Sequence, residues 1–151
     1  LALAQEIAKL KNITVVTNTI PIINTLIKNK TIDILIPGGV VRNNESSLFG
    51  QFALNNICDI FITIGFFGCS GIDHKAAVTS HHMGEVLISK QMIQQSQTTI
   101  LLADQSKFGN IAFNRTANFE EIDIVVTDQL PNDSYELDYL KEHGVELIAS
   151  S

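Results

Sequence analysis

The chain has 151 residues, enough for a single domain with a sizeable core and too few for two of ordinary size. Hydrophobic residues make up 45% of it and charged residues 17%, which excludes a disordered or collagen-like chain because apolar surface is ample to offset chain entropy. Ten Lys and Arg against sixteen Asp and Glu leave a net charge of −6, so the chain as a whole repels phosphate backbones and any contact with DNA must come from outside it.

In chain order, Leu1 to Leu10 reads as the middle or end of an amphipathic helix, with no initiator Met, basic stretch or cleavage site before it, which suggests a segment of a longer protein. A strand follows at Ile13 to Val16, then a helix from Pro21 to Lys28, a strand at Ile32 to Ile36 and a helix from Phe49 to Asn56. Beyond these come a strand at Ile60 to Ile64, a helix from Met83 to Gln95, and strands at Ile100 to Ala103 and Ile122 to Val126. The last helix spans Asp133 to His143, opened by the capping box Asp133-Ser134-Tyr135-Glu136 and closed by Gly144, before a strand at Val145 to Ile148. The strands are short and β-branched, as strands buried on both faces should be, and they alternate with helices. The expected architecture is therefore α/β and three-layer, with a mostly parallel sheet flanked by helices. Phe61 is expected in the core; Phe66 and Phe67 could line a pocket or an interface between subunits. The stretch from Gly109 to Asn118 reads as a surface loop that could order over a ligand.

Cys58 and Cys69 lie in apolar stretches without CxxC or Cys/His spacing and read as buried thiols of a reducing compartment, the cytoplasm. The longest apolar run, Ile60 to Cys69, is about half the roughly 20 residues that a spanning helix needs, so no membrane association is expected.

In open α/β sheets ligands bind beyond the carboxyl ends of the strands. Those ends carry Thr17-Asn18, Gly38-Gly39, Gly68-Cys69-Ser70-Gly71, Asp104-Gln105-Ser106-Lys107 and Thr127-Asp128. Glycines admit a ligand close to the backbone, hydroxyls and amides bond sugar oxygens, and Lys107 offers an ammonium to an anion. The chemistry suggested is a small, hydroxyl-rich anion, although the same residue types serve as ordinary caps and turn formers.

The succession Val15-Val16-Thr17-Asn18, Pro37-Gly38-Gly39-Val40-Val41-Arg42, Phe49-Gly50-Gln51-Phe52-Ala53, Gly68-Cys69-Ser70-Gly71-Ile72-Asp73 and Leu101-Leu102-Ala103-Asp104-Gln105-Ser106-Lys107-Phe108-Gly109 resembles the C-terminal effector-sensing domain of DeoR-family bacterial transcriptional repressors. The resemblance implies a single effector-binding domain over residues 1–151, with a fold similar to that of ribose-5-phosphate isomerase, glucosamine-6-phosphate deaminase and CoA transferases. It implies a partner that is a phosphorylated sugar or related metabolite, operator DNA bound through an N-terminal helix-turn-helix absent from this chain, and a homo-oligomer. The family's Ser-Gly-Thr-Thr phosphate-binding loop would lie just upstream of Leu1.

Position by position, the resemblance places Thr17 and Asn18 against the sugar or the loop beside it, and Gly38 and Gly39 on an open floor. Arg42 and Lys107 would meet the anion, Asp104 would accept from sugar hydroxyls, and Gly68, Ser70 and Gly71 would line the ligand. Ser70 departs from the family, which more often has Asp or Asn there, and so removes a carboxylate. No catalytic residue, cofactor or metal is expected. An isomerase or deaminase on the same fold is the alternative, with Asp104 as base and Lys107 steadying an oxyanion. A CoA transferase would need a glutamate nucleophile at a strand end, whereas Glu85 sits near a helix start, where the macrodipole alone favours it. His81, His82 and Glu85 offer no complete ligand set. Val86, Leu87, Met92 and Ile93 read as a packing face around Lys90.

Overall fold

A computed structural model describes residues 1–132 and 134–149. The chain is α/β, and it divides into two compact units, Leu1–Ile57 and Cys58–Ser151.

The first unit begins with α1 (Ala2–Ile7), β1 (Ile13–Val16), α2 (Ile20–Leu26) and β2 (Ile32–Leu35). β1 and β2 pair in parallel, Ile13 opposite Ile32 and Val16 opposite Leu35, with α2 as the crossover. Pro21 stands in the first turn of α2, where its missing N–H costs nothing. Asn29 holds the end of α1 to the turn before β2: its Nδ2 donates to the carbonyls of Ala8 and Leu10, and its Oδ1 accepts from Thr31 N–H. An antiparallel ribbon of β3 (Val40–Arg42) and β4 (Ser47–Phe49) follows, then α3 (Gln51–Ile57).

The second unit holds the larger sheet. β5 (Ile62–Gly68), β8 (Ser96–Leu102), β10 (Ile124–Thr127) and β11 (Glu146–Ala149) form an all-parallel sheet in the order β11-β10-β8-β5. β6 (Gly71–Asp73), β7 (Ala77–Ser80) and β9 (Asn114–Ala117) form a small antiparallel sheet. α4 (Met83–Gln95) packs on strands of both sheets, and α5 (Tyr135–Glu142) packs on β11. The core gathers Phe67, Ile72, Val78, Ile93, Leu101, Val125 and Leu140 from every layer of this unit.

The expected helix from Met83 to Gln95 and strand from Ile13 to Val16 have those bounds in the structure. The short strands β3, β4, β6, β7 and β9 are only three or four residues long, too short to carry an apolar period, and periodicity does not reveal them. One consequence is a correction at Gly109 to Asn118: Asn114–Ala117 is a strand, with Asn114, Thr116 and Ala117 buried, rather than part of a surface loop. A second correction concerns Phe61, which is 93% exposed because β5 starts only at Ile62, leaving Phe61 beyond the sheet. Nor is β5 buried on both faces: Gly65 and Phe67 point inward while Ile64 and Phe66 are exposed, as befits a strand paired on one side only among the described residues. Cys58 is likewise exposed rather than buried. On α4, Val86 and Ile93 are buried, whereas Leu87 is exposed. Asp133 of the expected capping box lies outside the described residues; Ser134 is the N-cap of α5. No helix among the described residues is long and apolar enough to cross a membrane.

Leu140 is fully buried where α5 meets the core, so Leu140→Ala should lower the unfolding free energy by about 2–5 kcal/mol in urea denaturation. A loss below about 1 kcal/mol would mean that α5 does not pack as described.

Candidate functional site

Because β5, β8 and β10 are parallel and adjacent, their carboxyl ends lie along one edge of the sheet. Gly68 closes β5, and Ser70 N–H donates to Thr79 O at 2.9 Å, turning the chain into β6. Gly71 is required here by close approach: a Cβ would stand 2.1 Å from the Asn110 carbonyl oxygen. After β8, Asp104 caps a single 3-10 turn, Gln105–Lys107. Its Oδ1 accepts from the Ser106 N–H at 2.9 Å and from the Ser106 hydroxyl, while Lys107 Nζ lies 3.7 Å from Oδ2. The Ser106 hydroxyl is the main cause that holds the Asp104 carboxyl below the usual carboxylate range.

Asp128, at the end of β10, fastens this turn by accepting the Gln105 N–H at 2.7 Å, and that bond keeps its own carboxyl low. On the other side Gly109 N–H donates to Ile72 O at 2.8 Å. Cys69 lies close enough to feel both Lys107 and Asp104, yet burial pushes its thiol up to about 12, which makes it a poor nucleophile. Gly68, Ser70, Gly71, Asp104 and Lys107 are thus brought to one edge. Ser106 and Asp128 were visible in the sequence only as strand-end polar residues, and the structure adds them as the supports of that turn.

Thr17, Asn18, Gly38, Gly39 and Arg42 belong to the first unit. Thr17 is buried, its N–H donating to Leu35 O at 3.1 Å. Asn18 extends the pairing past β1: its Nδ2 donates to Leu48 O at 2.9 Å, and its carbonyl accepts Leu48 N–H at 2.8 Å. Gly39 has φ of +114° and a Cβ there would meet Phe49 O at 2.3 Å, so glycine alone fits beside β4. Arg42 is engaged by Glu45, Nε to Oε2 at 2.7 Å, and its guanidinium lies 5.9 Å from the Phe49 ring centroid.

A shallow concavity of about 380 Å³, lined by Phe61, Ile62, Thr63, Gln95, Ser96 and Gln97, opens at the amino ends of β5 and β8, the edge opposite Asp104 and Lys107.

His81 and His82 are exposed at the start of α4. His143 Nε2 lies 3.3 Å from Glu120 Oε1, and His74, in the turn after β6, meets two carboxylates, its Nδ1 3.2 Å from Glu136 Oε1, 62 residues away, and 3.6 Å from Asp73 Oδ2. Spacing gives no sign of the pair His74 and Glu136. Asp73 Oδ1 accepts the N–H groups of Lys75 and Ala76 at 2.8 and 2.9 Å, forming the turn, and Arg115 takes the carbonyls of the same two residues. Burial raises the carboxyl pKa of both Asp73 and Glu136, but it is outweighed by backbone N–H bonds and His74 at Asp73, and by the Ser134 hydroxyl and His74 at Glu136. Both end below the usual range.

In open, mostly parallel α/β sheets the carboxyl edge, which here carries polar, glycine-bearing turns, is where small ligands are held. The family described as the DeoR C terminal sensor domain matches residues 1–129, and the chain belongs to it. The HTH-type transcriptional repressor GlcR of Bacillus subtilis (strain 168) is 32% identical over 137 residues, covering 91% of this chain and 52% of that protein. The glycerol-3-phosphate regulon repressor of Escherichia coli (strain K12) is 29% identical over 97% of this chain and 58% of its own length. The putative aga operon transcriptional repressor of Escherichia coli O157:H7 is 26% identical over 97% of this chain and 54% of its own length. The chain spans about half the length of these relatives.

A carboxyl with a depressed native pKa stabilises the fold above its unfolded value, about 3.9 for Asp and 4.3 for Glu, and that contribution is lost as pH falls through the native value. Urea unfolding at pH 7 and pH 3 should therefore show a loss of stability on acidification, and Asp73→Asn, which keeps an acceptor for the turn, should reduce that loss. An unchanged pH dependence in the variant would show that Asp73 ionises alike in both states.

Proposed function

We propose that residues 1–151 are the effector-binding domain of a bacterial transcriptional repressor that senses a phosphorylated sugar or related metabolite and so relieves DNA binding. The reading is supported by a family match that runs through both units and by relatives whose names are those of repressors. The observation that carries it to residues is the meeting of Gly68–Gly71 with the Asp104–Lys107 turn at one sheet edge, where backbone, carboxylate and ammonium stand together.

In this proposal Asp104 Oδ2 accepts sugar hydroxyls, since Ser106 occupies Oδ1, and Lys107 bonds a phosphate or acidic oxygen. Gly68, Ser70 and Gly71 admit the ligand to the backbone. Thr17, Asn18, Gly38, Gly39 and Arg42 of the first unit are also proposed to bind ligand, with Asn18 holding β4 as well. The fold is proposed to be three-layer and like that of ribose-5-phosphate isomerase, glucosamine-6-phosphate deaminase and CoA transferases, used without turnover. Ser70 leaves that edge one carboxylate poorer than is usual in the family, which favours binding over proton transfer. Operator DNA is bound through a helix-turn-helix outside these residues, the protein acts in the cytoplasm as a homo-oligomer, and the metabolite binds the DNA-releasing conformation more tightly.

Phosphorus NMR of the chain and of its full-length protein with hexose, pentose and amino-sugar phosphates separates binding from chemistry. A resonance that shifts or broadens without new species is the expected result; new species growing with time would instead establish an isomerase or deaminase. Lys107→Ala should weaken the binding by about 1.5–3 kcal/mol, the worth of a charge-assisted hydrogen bond, and unchanged affinity would remove Lys107 from the site.

A further inference from the structure

We propose that Asp73, His74 and Glu136 form a binding site for one divalent transition-metal cation of the zinc type, joining the turn after β6 to the first turn of α5. The site is separate from the effector reading and does not depend on it.

Each of the three residues offers one ligand atom, and the three atoms lie within 4.8 Å of one another, with His74 Nδ1 facing Asp73 Oδ2 and Glu136 Oε1. From Nδ1 the carboxylate oxygens stand at 3.2 Å (Glu136) and 3.6 Å (Asp73). Zinc bonds of about 2.0–2.1 Å in tetrahedral geometry separate neighbouring ligand atoms by about 3.3–3.4 Å, between the two observed values. Direct hydrogen bonding accounts for the triad less well. Nδ1 carries at most one proton, and the Glu136 oxygen lies where that proton would go. Asp73 Oδ2 faces the same nitrogen at 3.6 Å, too far for that one proton to serve it as well. A proton satisfies one carboxylate, whereas a cation among the three atoms satisfies both.

The remaining oxygens are already committed. Asp73 Oδ1 is held by two backbone N–H groups and Glu136 Oε2 by the Ser134 hydroxyl at 2.7 Å, so each carboxylate turns one oxygen inward. Outer bonds of this kind orient metal ligands. The Tyr135 and Tyr139 rings, with centroids 6.0 and 5.5 Å from that of His74, limit the swing of the imidazole. Two carboxylates and a neutral imidazole balance a dication, and the imidazole favours zinc-type ions over magnesium or calcium. His74 is 29% exposed at its side chain, which leaves a route in and room for water as a fourth ligand.

The test is a cobalt(II) titration of the whole chain after chelator treatment, read by visible absorption, followed by zinc displacement. One equivalent of cobalt should give ligand-field bands that zinc abolishes, and zinc should raise the thermal midpoint. Glu136→Gln and His74→Gln should each weaken binding at least a hundredfold, while a His81→Asn, His82→Asn double variant should bind as the parent does. Absence of cobalt bands in the folded parent chain overturns the proposal whatever the variants do. Bands that survive His74→Gln, or vanish in the His81, His82 double variant, overturn it as well, because the ion would then sit on the exposed histidines.

Discussion

Parallel pairing of β8 with β5 on one side and β10 on the other requires the chain to return to the same sheet edge before each strand begins. Every amino end therefore lies at one edge and every carboxyl end at the other. The turns after β5, β8 and β10 become neighbours although many residues separate them in sequence. The candidate site of the second unit follows: Gly68–Gly71, Asp104–Lys107 and Asp128 are adjacent because of the pairing, and hydrogen bonds to backbone groups stitch the turns together.

The small antiparallel sheet shapes that edge from the side. Thr79 is its hub, with its hydroxyl donating to Gly71 O at 3.3 Å and accepting Ala112 N–H at 2.9 Å. A buried hydroxyl bonded in both directions brings the segment after Lys107 against the start of β6, where only glycine at 71 leaves room for the Asn110 carbonyl. The turn that carries Lys107 is thus joined to β6 by the Gly109 N–H on Ile72 O, and β6 runs on into Asp73 and His74, which meets Glu136 of α5.

The parallel strands and main helices were legible in the sequence because each is a compact apolar or amphipathic run. The candidate residues at the strand ends were legible too, as polar and glycine-bearing breaks after those runs, and the ordered motifs tied them to a family that the comparisons bear out. The errors have a shared physical origin. Hydrophobicity alone puts Phe61 and Cys58 inside, but burial depends on where a strand starts, and β5 starts after both. Gly109 to Asn118 reads as loop because Asn110, Asn114, Arg115 and Asn118 are polar, yet Asn114–Ala117 pairs with β7, and Asn114 Nδ2 donates to His81 O at 3.0 Å.

What the sequence by itself determined is the parallel strands and the main helices, their α/β alternation and the residue types at each strand end, since periodicity and turn chemistry act over a few neighbouring residues. Strand order, the register that sets Asp104 beside Asp128, and the meeting of His74 with Glu136 across 62 residues were decided only by tertiary structure. Such contacts are fixed by which strands pair and which helix faces pack, and those choices minimise exposed apolar area and unmet hydrogen bonds over the whole unit, a condition that no local stretch of residues contains.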